Sequence, residues 1–320
     1  MRPQPLLALV LLASPVQAFD LTFPVACTPG QDCYLQNLFD HDAGPDARDA
    51  ACGPLAYDAH DGTDIALPTL RDQARGVEVM AAADGTVLGA RDGMADVPQD
   101  APDAPEIAGR ECGNGVLIRH EDGWETQYCH MARGSVAVHE GDTVRAGQVL
   151  GRIGLSGDTE FPHLHLTVRR DGVEVDPFAP DSAATCGPLP QPNLWAQPLD
   201  FPQGGITDAG FATGVPDYAA IRAGVAESAP RPDQPLVLFG LIYGGRAGDR
   251  VRLAVRGPGG EEILGHEEPL DRTQALLFRA AGLRAPDGGW PAGLYEGTVT
   301  LLRDGTELGQ LSRSTEMPGR

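Results

Sequence analysis

Five side chains, widely spaced in the chain, have types and local patterns that could do chemistry together. The run Tyr57-Asp-Ala-His60-Asp-Gly62-Thr-Asp64 sets a histidine and a carboxylate four positions apart in a stretch of extended character. Residues at i and i+4 of a strand share a face. A borderline-soft zinc ion accepts imidazole nitrogen and carboxylate oxygen together, so this pair could form half of a tetrahedral site, with Gly62 permitting a close backbone approach. The run Phe161-Pro-His163-Leu-His165-Leu166 adds two imidazoles. As a strand it turns both histidines to one side, about 7 Å apart at their backbones, and sends Leu164 and Leu166 into a core. One histidine can then meet a metal while the other faces a substrate beside it. A third segment, Thr126-Gln-Tyr-Cys-His130-Met131, ends in another histidine. Taken singly, each piece has a plainer explanation: a polar turn with a capping Asp, two imidazoles on a surface, or a structural hydrogen-bonding histidine.

The elements that must position these residues read as strands. Between Ile65 and Val175, short β-rich runs (Val77–Met80, Thr86–Leu88, Val116–Ile118, Val144–Ile153, His163–Val168) alternate with Asp84-Gly85, Asp122-Gly123, Gly141-Asp142 and Asp171-Gly172 turns. Few stretches repeat apolar residues at helical spacing, so the expected domain is mainly β and antiparallel. Residues 91–111 form an acidic, Pro-containing insert read as a surface excursion. Residues 187–205 carry Pro188, Pro190, Pro192, Pro198 and Pro202, a composition suited to a linker or to a segment lying extended along a surface. Beyond it, Leu236–Tyr243, Arg250–Arg256, Ala275–Arg279 and Tyr295–Arg303 are spaced as strands of a small C-terminal β-sandwich of immunoglobulin-like type, with Trp290 and Tyr295 in its core.

Arg2, the apolar run Leu6–Leu12 and Val16-Gln17-Ala18 have the zones of a secretory signal, with cleavage expected after Ala18. No later run reaches the roughly 20 residues of a membrane span, and no cysteine follows the cleavage site, so the mature chain is expected without a membrane anchor, secreted or periplasmic. All six cysteines lie beyond the signal. An even number in an oxidising compartment points to three disulfides. Cys112 and Cys129 flank the arms of one hairpin tipped by Glu121-Asp122-Gly123 and are expected to pair. Cys27 to Cys33 would close a small loop, which leaves Cys52 to Cys186. A formal charge of -21 with no basic stripe excludes nucleic acid as a partner and argues against electrostatic capture by anionic membranes or wall polymers. His41, His120, His139 and His266 lack companions at ligand spacing and read as surface or structural. Asp40, Asp42, Asp46 and Asp49 do not fit a calcium loop and read as solvated.

The order of the pieces, H-x-G-x-D, then Tyr128-Cys-His130-Met131, then Ile153-Gly-Leu-Ser-Gly157 followed by Pro162-His-Leu-His165, resembles the lysostaphin and LytM-type zinc metallopeptidases, cell-wall endopeptidases of duplicated hybrid motif fold. The resemblance runs from about Tyr57 to Pro177 and takes in Asp84–Val87, Val136–Gln148 and Val175-Asp-Pro177. It implies that His60, Asp64 and His165 hold one zinc ion and that His130 and His163 are the catalytic histidines. Three protein ligands leave a fourth position for water, as a catalytic rather than a structural zinc requires. The implied substrate is the peptide part of peptidoglycan. Members commonly follow Pro-His-Leu-His with Phe-Glu, where this chain has Leu166-Thr167, and the 91–111 insert lengthens a loop that borders the groove in the family. The expected layout is a signal peptide at 1–18, an extension at 19–51, the LytM-type domain at 52–186, a linker at 187–205 and the sandwich at 206–320, in a monomeric chain. Two other readings fit the same pattern: a catalytically inactive LytM-like regulatory or binding module, and a protease of glycine-rich proteins.

Overall fold

A strand with apolar residues on one face must bury that face, and residues 19–181 solve this with one large antiparallel sheet. The computed structural model describes residues 19–181, 189, 193–201 and 203–319. The expected signal segment and Cys186, with its expected bond to Cys52, lie outside the described residues. The strands are β1 (Tyr34–Leu35), β2 (Thr63–Ala66), β3 (Glu78–Met80), β4 (Gly85–Arg91), β5 (Asn114–Arg119), β6 (Trp124–Met131), β7 (Thr143–Val144), β8 (Val149–Arg152), β9 (His163–Arg170) and β10 (Val173–Glu174). The sheet runs β1-β2-β9-β6-β5-β4-β7, with β10 paired to β9, while β3 and β8 form a separate pair. The two hairpin turns read from Asp-Gly pairs are tight: Asp122 and Gly123 have φ of 54° and 77°, Asp171 and Gly172 of 52° and 79°.

Leu164, Leu166 and Val168 of β9 are fully buried and meet Ile65, Ile118, Tyr128, Met131 and Leu150 in one core. Residues 19–51, read as an extension, are part of the same unit: Leu21, Val25, Leu35 and Leu38 lie in that core, and β1 pairs with β2. Leu194 and Trp195, from the Pro-rich stretch, are buried there too, and Trp195 bridges to Leu21. Of the described residues of this stretch, Leu199 and Phe201 pack on the same core. The expected disulfides Cys27–Cys33 and Cys112–Cys129 are both formed. Asp40 and Asp49 correct the solvated reading, because both are buried. Asp40 accepts from the backbone N–H groups of Asp42, Arg48 and Ala59, and Asp49 from those of Ala51, Gly53 and Leu55, so each carboxylate gathers three amides of its loop.

The C-terminal part is built from β11 (Gly205–Ala212), β12 (Leu236–Gly245), β13 (Arg250–Arg256), β14 (Glu262–Pro269), β15 (Gln274–Leu283), β16 (Gly293–Arg303) and β17 (Thr306–Met317). These form a three-stranded sheet, β11-β12-β15, and a four-stranded sheet, β14-β13-β16-β17. Phe211, Leu238, Ile242, Leu253, Val299 and Leu301 bury the two inner faces against each other, with Trp290 and Tyr295 in the same core as expected. Two short helices were not legible as periodic patterns: α1 (Leu70–Ala74) and α2 (Tyr218–Ala223). Each is fixed by its cap. Thr69 accepts from the Asp72 N–H, Asp217 from the Ala220 N–H, and Gly224 closes α2 in the left-handed region. No described helix is long and apolar enough to cross a membrane.

One buried chain of polar groups ties the hairpin to the core. The Ala82 N–H donates to the Tyr128 hydroxyl, which lies 3.0 Å from the Thr126 hydroxyl, itself 2.8 Å from His120 Nε2, while His120 Nδ1 meets the Asp84 carbonyl at 2.7 Å. Burial disfavours the charged imidazole and lowers the His120 pKa from 6.5, against the pull of the Asp84 carbonyl. The folded chain therefore binds fewer protons here than the unfolded one. The stability contributed by neutral His120 is complete above pH 6.5 and is lost as pH falls below it. His120→Gln is expected to flatten the decline of unfolding free energy between about pH 7 and pH 5, measured by urea denaturation against the parent chain. Equal slopes would remove His120 from the pH response.

Candidate metal centre

The ladder between β2 and β9 sets Asp64 directly opposite His165 and Ala66 opposite His163. Alternation along β9 puts His163 and His165 on the face away from Leu164 and Leu166, as the H-x-H spacing requires. His60 precedes β2 and folds back over Asp64. The result is a set of donor atoms around one carboxylate oxygen. Asp64 Oδ1 lies 3.2 Å from His60 Nε2, 3.0 Å from His165 Nδ1 and 3.3 Å from His163 Nε2. His60 Nε2 and His165 Nδ1 are 3.2 Å apart. All of these side chains are buried.

His130 reaches the same place by a different device. Gln127 and Cys129 lie across from Thr167 and His165, so a regular strand would turn His130 to the opposite, core face. Instead the pairing of β5 with β6 slips between Asn114 and Val116, whose partners are Met131 and Tyr128, so that Cys129 and His130 together oppose Gly115. This is a β-bulge, and His130 adopts φ of 62° in it. The bulge re-aims the imidazole, bringing its ring to 4.6 Å from that of His163 and 6.0 Å from that of His165. A left-handed backbone at a non-glycine residue costs on the order of 1 kcal/mol or more and persists only where surrounding structure enforces it. Here the Cys112 carbonyl takes the His130 N–H, and the Gly154 N–H binds its carbonyl.

The outer nitrogen of each ring has a partner that sets its tautomer. His60 Nδ1 faces the Leu38 carbonyl at 2.6 Å, His130 Nδ1 the Ser156 carbonyl at 2.9 Å and His163 Nδ1 the Phe161 carbonyl at 2.9 Å. His165 is the reverse case: its Nε2 meets Asp61 Oδ1 and Thr167 Oγ1, each at 3.0 Å. Protons held on these outer atoms leave His60 Nε2 and His165 Nδ1 with lone pairs for a cation beside Asp64 Oδ1; a proton on the inner nitrogen is the alternative partner for that oxygen. Asn37 Nδ2 donates to Asp64 Oδ2 at 2.8 Å, so the other carboxylate oxygen is left for the centre. Three acceptors converging in a buried place call for positive charge between them. Donor atoms of His60, Asp64 and His165 all lie within 4.8 Å of one another, and this set fits a zinc ion in ligand type and number. The other close grouping among the described residues, Cys27, Asp32 and Cys33, is closed by its disulfide.

The acid–base behaviour agrees with that demand. Burial would raise the Asp64 carboxyl, but the imidazoles of His60, His163 and His165 gathered around it hold it well below the usual range. Burial opposes charge on His165, yet hydrogen bonds to Asp61 and Asp64 push it up to about 9. The bond from His165 keeps Asp61 low in turn. His130 goes the other way: burial, then the proximity of His163 and His165, holds it well below the imidazole range, so it is neutral at neutral pH. The five expected site residues are thus brought together. Sequence reading missed their supports. Thr167 and Asp61 were within reach of it, since residues 165 and 167 share a strand face and Asp61 adjoins His60, whereas nothing near Asn37 or Leu38 marks either as touching the centre.

The stretch 58–177 matches the family model described as Peptidase family M23. Over 122 residues the chain is 36% identical to the DD-carboxypeptidase/endopeptidase Mpg of Neisseria meningitidis serogroup B, covering 38% of this chain and 22% of that protein. Over 119 residues it is 30% identical to the peptidoglycan DD-endopeptidase ShyC of Vibrio cholerae, covering 37% and 22%. The chain therefore spans 22% of the length of either curated relative. Among solved structures, the catalytic domain of lysostaphin from Staphylococcus simulans is 25% identical with a TM-score of 0.28, covering 39% of this chain and 82% of that one.

Within the matched stretch, Gly62 shows why no larger residue separates His60 from Asp64. A Cβ there would stand 2.6 Å from the Leu166 carbonyl and 2.7 Å from His165 Nε2. Gly62→Ala is expected to push β2 off β9 and cost about 1–3 kcal/mol in denaturant unfolding. Gly89→Ala, in β4 with nothing within 4 Å, should stay within about 0.5 kcal/mol of the parent. Equal effects at the two positions would contradict the close approach.

Proposed function

We propose that the chain is a zinc-dependent endopeptidase that hydrolyses the peptide cross-links of bacterial peptidoglycan, with His60, Asp64 and His165 holding one zinc ion and His130 and His163 acting as the acid–base pair. The observation that carries this reading is the meeting of three metal-donor side chains with two further buried imidazoles, 4.6 Å apart, on one sheet face. The names of the relatives that match the chain, a DD-carboxypeptidase/endopeptidase and a peptidoglycan DD-endopeptidase, support the substrate class. Action on wall peptides agrees with the secreted or periplasmic location read from residues 1–18.

A zinc ion in this place supplies Lewis acidity, polarising a carbonyl and lowering the pKa of water towards about 7. The rest falls to the chain. The Ser156 and Phe161 carbonyls hold protons on Nδ1 of His130 and His163, which leaves each Nε2 able to accept one. His130, kept neutral by burial, is ready to take the proton of the attacking water. His163, 3.3 Å from Asp64 through Nε2, lies beside the scissile carbonyl's place, where it steadies the developing negative charge or passes a proton to the leaving amine. Tyr57, exposed and with its ring 4.5 Å from that of His60, covers the edge of the centre.

Removing metal with a chelator should abolish hydrolysis of purified sacculi, and zinc should restore it; undiminished cleavage by metal-free protein would sink the mechanism. His165→Ala should lose zinc in elemental analysis. His130→Ala and His163→Ala should retain it and lose roughly 10²- to 10⁴-fold in kcat. Casein cut as fast as sacculi, with the fragments identified by mass spectrometry, would move the substrate from wall peptide to protein.

A further inference from the structure

The turn between Gly157 and Pro162 carries the groups that hold His163. Thr159 Oγ1 and the Phe161 carbonyl both face His163 Nδ1, at 3.1 and 2.9 Å, and bond each other at 2.8 Å. The Phe161 ring stacks on the imidazole, with centroids 4.3 Å apart and planes at 23°. The residue between these two supports, Glu160, offers its carbonyl outward, and that carbonyl is taken by a side chain from the other half of the molecule: Arg222 of α2 donates to it through Nη2. Through Nη1 the same guanidinium meets Asp100 Oδ2 of the 91–111 insert at 3.4 Å, and it lies over the Tyr218 ring at 5.9 Å. The adjacent insert residue, Gln99, donates its N–H to the Thr159 carbonyl at 2.9 Å. Tyr218 stacks in turn on Phe278 of β15, so α2 is seated on its own sheet. Tyr34 and Tyr243, with rings 4.7 Å apart, and Arg71 and Glu227, at 3.9 Å, add contacts between the halves.

We propose that the C-terminal sandwich is a working part of the catalytic centre, with Arg222 as a positioning residue that fixes the 157–162 turn and through it the orientation of His163. A guanidinium spreads donors in a rigid plane, which lets one side chain join a backbone carbonyl and a carboxylate at once. With Arg222 gone, the Glu160 peptide is free to rotate, and the flanking supports at Thr159 and Phe161 shift with it. The metal donors are untouched, since Asp64 lies in β2 and His60 just before it, and His165 is held by Asp61 and Thr167. The inference rests on the proposed hydrolase reading for its kinetic arm only.

The test compares the full chain with Arg222→Ala, Arg222→Lys and Asp100→Asn. Hydrogen exchange followed by mass spectrometry should show peptides over residues 158–163 of Arg222→Ala exchanging faster, while peptides over β2 and the rest of β9 match the parent. Zinc stoichiometry and affinity should be unchanged. On a wall peptide, kcat should fall between about 10- and 100-fold with KM little moved, as for a misplaced catalytic group. Arg222→Lys, which keeps a donor for the Glu160 carbonyl, should recover part of the loss, and Asp100→Asn should keep most of the parent rate. Unchanged exchange over 158–163 in Arg222→Ala overturns the proposal whatever the activity. So does a loss of zinc, or a loss of rate carried by KM alone. Should the parent chain cleave no wall peptide, the hydrolase reading fails, and the exchange measurement still judges the role of Arg222 at the 157–162 turn.

Discussion

One buried carboxylate oxygen organises the molecule. Asp64 Oδ1 sits under three imidazole nitrogens at 3.0–3.3 Å, out of contact with solvent. A charge in such a place is tolerated only if it is matched, and the surrounding structure is arranged to keep the match. The strand pairing that sets Asp64 across from His165, the glycine that lets β2 approach β9, the Asn37 amide on the second oxygen and the carbonyls on the outer nitrogens all serve that one arrangement. The hydrophobic core on the reverse of the sheet supplies the rigidity. Leu164 and Leu166 alternate with His163 and His165, so packing that buries the leucines also fixes the angle of the histidines.

Much of this was legible in the residues, for physical reasons that can be named. Strand periodicity of two is strict, which is why H-x-H announced a shared face and why the leucines could be assigned to the core; His60, by contrast, lies before β2 and reaches Asp64 from a turn, not along a strand face. A tight two-residue hairpin turn needs positive φ at both positions, which Asp-Gly tolerates, and two such pairs did form the hairpin tips at 122–123 and 171–172, whereas Gly85 of Asp84-Gly85 opens β4. The hairpin arms brought Cys112 to Cys129. The strands of the C-terminal half were partly readable, with β13 falling on Arg250–Arg256 as expected, while β11, β14 and β17 were not picked out. All three are interrupted by glycine, and their pairing partners decide them.

What the sequence could not carry was anything set by the meeting of distant segments. His130 was placed at a strand end, but its aim depends on a bulge that forms because two residues of β6 stand against one of β5. No local pattern declares that. The acidic residues at 40 and 49 have the composition of a solvated loop, yet the backbone around them has free N–H groups that only a buried carboxylate satisfies. The helix α2 is six residues long, too short for a periodic signal, and its arginine acquires meaning only when the two halves are docked.

The first core also changes what counts as the shortest useful piece of this protein. The stretch that matches the family model starts at residue 58, but β1, Asn37 and the Leu38 carbonyl lie upstream of it and complete the hydrogen bonding of β2, Asp64 and His60. A recombinant fragment trimmed to the homologous boundary would expose β2 as an open edge, inviting other chains to pair with it, and would strip two anchors from the ligand shell. Anyone excising the domain for engineering has reason to keep everything from Phe19 onward, whose ring already stacks on Trp124.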